Sequence, residues 1–445
     1  MNRENKIYYT AIIVIVTLFL LKMCWYSQRA VPYYEADIRN KVVGARLQMD
    51  GYSPYFYHWK RGDSIRYYDC NAQDFEPSMC TSSPFQSILY YPIANLPQAT
   101  INGIWNIVLN VIFIAIILLI LSFTKKRGQV ILVLLSGLLF YYSQGWKMNL
   151  KNGQNYILIP FGVLLFLYFI NKANTVLNGF ICGITASAII LFKPVIILIF
   201  LPLILLAGRY KKKYIGALLS GALAVLIFTF YQPHAMSLWK DYFKSINTHV
   251  KIWQEPHEKL FEKPPLLDQW EGINVATTKK KDLKSPLNLD NESSSFFLFY
   301  NSQSRSRAPL WLLYFLFVMG SIVLCILFYL RIVMKKKQTI LNLVLLGFCL
   351  YFTSEFFSPI GRSIYYSIQW IFPALMVLAF YSRKNSYSLL LITAGLLLNV
   401  IAIWQIKYEH TLGELLLFAG VYLFAITVPE DSNYTTNKEI NATVA

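Results

Sequence analysis

The sequence predicts an all-α polytopic membrane protein, a bundle of about twelve transmembrane helices with two long extracytoplasmic loops. Its composition is 56% hydrophobic and only 14% charged, whereas soluble proteins average about 25% charged residues. The hydrophobic residues come in blocks of about 15 to 20 with almost no charge inside, the length that a helix needs to cross about 30 Å of hydrocarbon. Repetition of such blocks along the chain excludes a soluble globular fold.

The blocks divide the chain into transmembrane segments and loops. The first helix is expected within residues 1–25, helices 2 to 7 within 104–231, and helices 8 to 12 within 310–428. The first extracytoplasmic loop is residues 26–103, the second is residues 232–309, and residues 429–445 form a cytoplasmic tail. Lys193-Pro194 interrupts one long apolar run, which predicts either a hairpin or a broken helix at that point.

Short basic connections set the predicted orientation. Lys and Arg resist translocation, and the five internal connections assigned to the cytoplasmic side contain no acidic residue. Both termini are therefore expected in the cytoplasm, and the site is expected on the outer side of a cell membrane. We attribute the net charge of +18 to topology and to attraction for anionic membrane lipid, rather than to nucleic-acid binding.

The first loop begins with a predicted amphipathic helix from Tyr34 to Met49. Its apolar residues Ile38, Val42 and Ala45 recur with Met49 at helical spacing, which predicts one apolar face. Such a helix is expected to lie in the membrane interface. It is followed by GYSPYFYHW, a stretch whose Tyr and Trp side chains suit either the lipid headgroup level or the face of a sugar.

An acidic residue on this helix is a candidate for chemistry. Asp37, with Glu35 beside it, is placed to meet a substrate that arrives through the lipid. The alternative is structural, because Asp37 and Lys41 are spaced i, i+4 and could form an ordinary surface ion pair.

Two cations and a carboxylate mark the outer membrane boundary. Lys193 interrupts an apolar run and Arg362 lies between two spans, so each could bind a lipid-linked phosphate or could simply extend to the lipid headgroups. Glu355 is expected at the outer end of a span. An ionisable group there is a candidate for binding a sugar or an acceptor, or it is merely exposed to interfacial water.

Cysteines and histidines give little further direction. Cys70 and Cys80 share the first loop, where a disulfide is open if the loop is extracytoplasmic. No His and Cys pattern has the spacing of a zinc site, so no metal site is predicted. Glu35 and Asp37 leave a divalent metal open.

Four short motifs carry a resemblance to a known superfamily. They are the acidic helix of Asp37 with its following turn DGYSPY (Asp50 to Tyr55), NGQNYIL (Asn152 to Leu158), FKP (Phe192 to Pro194) and SPIGRSIYY (Ser358 to Tyr366). In this layout the chain resembles the GT-C superfamily of membrane glycosyltransferases, and most closely glycosyltransferase family 87, the polyprenyl-phosphate-mannose-dependent mannosyltransferase type.

The resemblance implies an activity and roles for residues. It implies that Asp37 is the general base of an inverting transfer on the outer face, with a sugar donor carried on polyprenyl phosphate. The sugar would be mannose or another hexose, and the acceptor a glycan or glycolipid. The leaving group is an anionic phosphate, which needs cations rather than an acid, and Lys193 and Arg362 are the candidates. No cofactor is required.

Polar and aromatic residues of the same motifs are candidates for binding the sugar or the acceptor. Gln154 and Asn155 could hydrogen-bond sugar hydroxyls, or they could be helix-capping residues. After Ser-Pro the family commonly carries Trp and His, but here Arg362, Tyr365 and Tyr366 stand in their place. This departure leaves the donor sugar open and adds both tyrosines to the candidates.

A transporter or flippase of lipid-linked sugars is the competing class. Such proteins usually place ionisable groups near the bilayer midplane or break helices symmetrically in two halves. The predicted span centres here carry no acidic residue, and the chain has no evident internal repeat. The sequence therefore favours the enzyme.

Overall fold

The computed structural model is all-helical over the residues that it describes. These are 36–57, 63–67, 80–171, 175–206, 212–254, 295–304, 306–335, 337–382, 385–400 and 408–427, with 14, 17–18, 21–22 and 25. Most of the predicted first span, Glu35 and Cys70 lie outside the described residues.

Within the described residues, sixteen α-helices follow in chain order. They are α1 (Ala36–Met49), α2 (Pro84–Ile88), α3 (Gln98–Leu121), α4 (Arg127–Tyr142), α5 (Gln144–Lys151), α6 (Leu158–Asn171), α7 (Val176–Phe192), α8 (Ile197–Leu206), α9 (Lys212–Phe230), α10 (Ala235–Gln254), α11 (Phe296–Ser304), α12 (Leu310–Phe328), α13 (Ile340–Phe356), α14 (Ile371–Ala379), α15 (Ser386–Val400) and α16 (Glu409–Thr427). Short 3₁₀ segments precede α8 (Pro194–Ile196) and α14 (Ile364–Trp370), and a π-helical turn (Tyr329–Val333) extends α12.

Apolar helices occupy the predicted membrane-spanning stretches within the described residues. Three helices, α3, α12 with its extension, and α16, are individually long and apolar enough to cross a bilayer, and the number rises to five if each of two bent helix pairs is one span. Shorter apolar helices of 10–17 residues stand at the remaining predicted positions. The count of twelve spans stays a prediction. The second span begins earlier than expected, since α3 starts at Gln98 rather than at residue 104.

Helix α1 forms where the first loop predicted a helix, but its apolar face meets protein. Ile38, Val42 and Ala45 are almost completely buried and belong to the main hydrophobic core. Protein therefore covers this face, since helical periodicity identifies an apolar face without identifying what covers it. The placement of the helix at the membrane interface stays a prediction. Met49, at the helix end, is exposed.

Close helix crossings depend on glycines. A Cβ atom at Gly183 of α7 would lie 1.9 Å from the carbonyl oxygen of Leu218 in α9, and one at Gly347 of α13 would lie 2.0 Å from the carbonyl oxygen of Ile199 in α8. Small residues allow backbones in apolar bundles to approach this closely. These contacts hold α7, which leads to Lys193, and α13, which carries Glu355, in their places.

The helix is interrupted within the apolar run at Lys193-Pro194. Helix α7 ends at Phe192, Lys193 has extended backbone angles (φ −149°, ψ 101°), and Pro194 begins the next helical turn. Proline lacks the N–H that would continue the helix and disfavours helical angles in the residue before it. Lys193 therefore belongs to neither helical segment.

Candidate active site

A cavity of about 570 Å³ opens between α1, the turn after α5, the break after α7, α10, and the segment between α13 and α14. All eight residues that the sequence singled out as candidates for catalysis or binding line it. They are Asp37, Gln154, Asn155, Lys193, Glu355, Arg362, Tyr365 and Tyr366. Residues that are more than 300 positions apart in the chain therefore share one chamber.

Asp37 is held by an amide from the turn after α5. Gln154 Nε2 donates a hydrogen bond to Asp37 Oδ2 at 2.5 Å. The turn comes this close because Gly153 has a positive φ of 59° and sits against Ile38, where a Cβ atom would lie 2.6 Å from the Ile38 Cβ. Trp105 Nε1 donates to the Gly153 carbonyl at 3.1 Å and fixes the turn from α3.

Lys41 completes this arrangement, and sequence reasoning considered it only as a surface partner of Asp37. Its Nζ donates to Gln154 Oε1 at 2.6 Å, and the residue is 7% exposed. Because an ammonium can only donate and an ionised carboxylate can only accept, the two contacts fix which way the Gln154 amide points. Burial lowers the pKa of Lys41 to about 8, opposed by the nearby Asp37 carboxylate.

Lys193 lies among tyrosine rings and beside a carboxylate. Its Nζ is 2.8 Å from Glu355 Oε1 and 4.7 Å from the ring centroid of Tyr366. The rings of Tyr156 and Tyr351 lie at 5.2 and 5.7 Å. Aromatic faces stabilise a desolvated cation. Lys193 therefore points into the protein beside the cavity, which excludes the alternative that it extends to lipid headgroups.

Three tyrosines lie between the Asp37 and Lys193 sides of the cavity. Tyr365 stacks on Tyr156 and on Tyr366, with ring centroids 5.5 and 5.2 Å apart, and the Tyr156 hydroxyl donates to the Tyr366 hydroxyl at 2.6 Å. Tyr365 is close to Asp37 and Gln154, whereas Tyr366 faces Lys193. The result is an aromatic surface with a carboxylate at one side and a cation at the other.

Arg362 forms an ion pair with a carboxylate buried inside the protein. It is 3% exposed and forms an ion pair with Glu414 of α16, which is completely buried. Its guanidinium also lies over the rings of Phe352 and Tyr366 at 5.3 and 5.2 Å. Glu414 is not among the residues predicted from the sequence, although a carboxylate five residues into an apolar helix is a signal that points to a functional or paired group.

Asn155 already has a protein partner. Its Nδ2 lies 3.3 Å from the Tyr90 hydroxyl, to which it donates, and the residue is 1% exposed. Both ends of the Gln154 amide are also engaged, by Asp37 and Lys41. In this structure the two amides therefore organise the wall of the cavity.

The described residues also bear on the cysteine and metal alternatives. Cys80 is a buried free thiol in the structure, and its suggested partner Cys70 falls outside the described residues. No group of three or more His, Cys, Asp or Glu side chains suited to a metal occurs among the residues that the structure describes. Asp37 lies within that part of the chain, but Glu35 does not.

Comparison with known families bears directly on the resemblance. The sequence model of glycosyltransferase family 87 matches residues 81–261. The resemblance to family 87 is confirmed. The matched region contains two of the four motifs, NGQNYIL and FKP, and with them Gln154, Asn155 and Lys193. The motifs of Asp37 and Arg362 lie outside the matched residues.

The chain was also compared with curated proteins and with solved structures. No curated protein matches the chain. Among solved structures, the chain is similar to the crystal structure of the oligosaccharyltransferase of Archaeoglobus fulgidus tethered to an acceptor peptide, with 14% sequence identity and a TM-score of 0.40. The alignment covers 93% of this chain and 55% of that one, so the chain spans about half the length of that protein.

Proposed function

We propose that this protein transfers a hexose, with mannose the first candidate, from a polyprenyl-phosphate carrier to a glycan or glycolipid acceptor on the extracytoplasmic side of a cell membrane. The observation that carries the proposal is the arrangement within one cavity of a carboxylate, an aromatic surface and a cation. Across the cavity, the tyrosines lie between Asp37 on one side and Lys193 on the other. A sugar lying on the tyrosines would have a base on one side and a counter-ion for phosphate on the other.

The proposed reaction uses Asp37 as the general base. An acceptor hydroxyl attacks the anomeric carbon, a new carbon–oxygen bond forms, and its proton passes to the Asp37 carboxylate. A positioned base contributes typically about 10² to 10⁴ in rate. Asp37 Oδ2 accepts from Gln154, which orients the carboxylate while Oδ1 serves the acceptor. Attack from the side opposite the phosphate inverts the anomeric centre.

The bond from the anomeric carbon to the phosphate oxygen breaks as the new bond forms, and its electron pair leaves with the polyprenyl phosphate. We assign the direct contact with this phosphate to Lys193, whose side chain is 22% exposed and lines the cavity. Arg362 has its charge paired with buried Glu414, so we assign it to holding the Tyr366 ring, which lies 5.2 Å from its guanidinium. Preorganised charges in a site without bulk water stabilise a developing anion strongly.

The tyrosines and Glu355 are assigned to the sugar and the acceptor. Tyr365 and Tyr366 present stacked rings to the cavity, and rings of this kind cover the apolar face of a hexose. Glu355 already binds Lys193. A carboxylate in that position can also accept a hydrogen bond from a sugar hydroxyl.

A transporter or flippase of lipid-linked sugars is the alternative. A completely buried Glu414 within an apolar helix is the kind of residue that such proteins use. Here it is committed to Arg362, at the edge of a cavity whose other walls carry a base and a cation. The match to a glycosyltransferase family further supports the enzyme.

The deciding experiment compares two donors on the purified protein in lipid. Polyprenyl-phosphate-mannose and a nucleotide-linked mannose are supplied side by side with membrane glycolipids as acceptors, and transferred mannose is measured. We expect transfer only from the polyprenyl donor, and its loss in Asp37→Asn, which removes the base while preserving shape. Unimpaired transfer by Asp37→Asn in protein that still inserts and folds would reject the assigned base. Transfer from the nucleotide donor alone would reject the carrier.

A further inference from the structure

Helix α10 leaves the transmembrane region at a sharp angle. The axes of α9 and α10 differ by 89° across a short break, where His234 adopts a positive φ of 60°. A helix that follows an apolar span at nearly a right angle runs along the membrane plane rather than across it. α10 is therefore placed at the level of the lipid headgroups.

One face of α10 is fixed to the protein. Trp239 and Tyr242 are buried in a cluster with Tyr55 and Cys80 from the first loop. Ser245 Oγ donates to the Cys80 carbonyl at 3.2 Å. Tyr242 also lines the active-site cavity, so the inner side of α10 forms part of the cavity wall.

The opposite face of α10 carries only apolar and basic or neutral residues. Six exposed side chains share it, within an arc of about 100° at 100° per residue. They are Met236, Lys240, Phe243, Lys244, Asn247 and Lys251. Met236 and Phe243 are 74% and 52% exposed and mark one edge, while the three lysines mark the other. Asp241, the one carboxylate among the described residues of α10, lies off this face and is half-buried.

We infer that this face of α10 is a binding surface for acidic phospholipids. Met236 and Phe243 insert at the boundary between headgroups and acyl chains, and Lys240, Lys244 and Lys251 contact the lipid phosphates. The Lys244 Nζ also lies 4.9 Å from the centroid of the Phe56 ring, so this lysine joins the lipid face to the first loop. Three cations with no carboxylate on the same face are complementary to an anionic surface. A soluble acidic partner would not require the two large exposed apolar side chains at the membrane side of the helix.

The surface also couples the lipid to the cavity. α10 is one rigid helix, so a lipid that fixes Lys240 and Lys244 on the outside also fixes Tyr242 on the inside. Acidic lipid is then expected to stabilise the wall of the proposed active site. The lipid contact itself does not depend on the proposed function, because it rests on the outer face of the helix alone.

The first test measures which side of α10 touches lipid. A benzophenone amino acid is introduced as Met236→benzoylphenylalanine or, about 140° around the helix and off this face, as Asp241→benzoylphenylalanine. The full-length protein is placed in nanodiscs of phosphatidylcholine with phosphatidylglycerol, irradiated, and analysed by mass spectrometry. We expect lipid adducts at position 236 and several-fold fewer at position 241. Equal adduct yields at the two positions would overturn the placement.

The second test measures lipid preference. The variant Lys240→Gln/Lys244→Gln/Lys251→Gln is compared with a control that keeps the charge at the same positions, Lys240→Arg/Lys244→Arg/Lys251→Arg. Retained phosphatidylglycerol is measured by native mass spectrometry. We expect the glutamine variant to lose about tenfold or more of the retained acidic lipid, and the control to keep it. Equal retention in both variants would reject the proposal. Neither readout needs sugar transfer, so its failure is separate from failure of the proposed function.

Discussion

Replacing Lys41 by Met tests whether the cavity holds a buried charge beside the candidate base. Burial lowers the pKa of Lys41 from 10.5 to about 8. In the unfolded chain the amine keeps its ordinary pKa, so between these values the unfolded state binds more protons than the folded state. The free energy of unfolding contributed by Lys41 therefore rises with pH across this window.

The size of the effect follows from the shift. A difference of about 2.5 pH units between 10.5 and 8, at 1.36 kcal/mol per unit, corresponds to a cost of about 3 kcal/mol for keeping Lys41 charged in the folded protein. This cost is present in full below about pH 8 and vanishes above about pH 10.5. Lys41→Met has a side chain of similar length with no charge, so it lacks the cost. It leaves Gln154 Oε1 without a donor, which costs about 1–3 kcal/mol at every pH.

The assay is the unfolding free energy of wild type and Lys41→Met in the same bicelles, measured from about pH 7 to about pH 10.5. We expect the free energy of unfolding of the wild type to rise by about 3 kcal/mol relative to that of Lys41→Met as the pH rises. The control is Lys126→Met, which removes an exposed lysine outside the cavity and outside α10. A Lys41→Met difference that does not change with pH would refute the buried charge.

Three other substitutions test the remaining parts of the site and its frame. Lys193→Ala is expected to raise KM for the polyprenyl donor far more than KM for the acceptor, and equal changes in both would reject its contact with the phosphate. Glu414→Gln should destabilise by about 3–5 kcal/mol because it leaves Arg362 buried without a counter-ion, whereas Arg362→Met/Glu414→Leu should be close to wild type in thermal unfolding. Gly183→Ala should destabilise by about 1–3 kcal/mol because its Cβ meets a backbone oxygen, while Gly103→Ala, with nothing within 4 Å, should be neutral.

Local signals of the sequence predicted much of the fold. A run of apolar residues and a basic turn are properties of neighbouring positions, and the helices α3, α4, α6 to α9 and α12 to α16 stand where those runs predicted them. Pro194 predicted the break after α7 for the same reason, since a proline acts on the residues beside it. The buried face of α1 shows the limit, because Ile38 and Val42 fit a lipid surface and a protein core equally well.

The candidate site could be predicted as residues but not as contacts. Asp37, Lys193 and Arg362 were found because each is a charge in an unusual local setting. Their partners are set by the tertiary packing. Gln154 is 117 positions from Asp37, and Glu414 is 52 positions from Arg362. The i, i+4 spacing suggested Lys41 as a surface partner of Asp37. No local pattern in the sequence indicated that a distant turn would insert Gln154 between them.

The pairing of charges around the cavity separates the roles of its two predicted phosphate-binding cations. Lys193 and Arg362 each have one carboxylate partner, but the partners differ in access. Glu414 is completely buried on the far side of Arg362, so no substrate can replace it, and Arg362 is a fixed part of the frame. Glu355 lines the cavity beside Lys193. A phosphate that enters the cavity can therefore replace Glu355 as the partner of Lys193. The exchangeable pair is therefore the one that we expect to meet the donor, and the fixed pair holds Tyr366 and the aromatic surface against which the sugar lies.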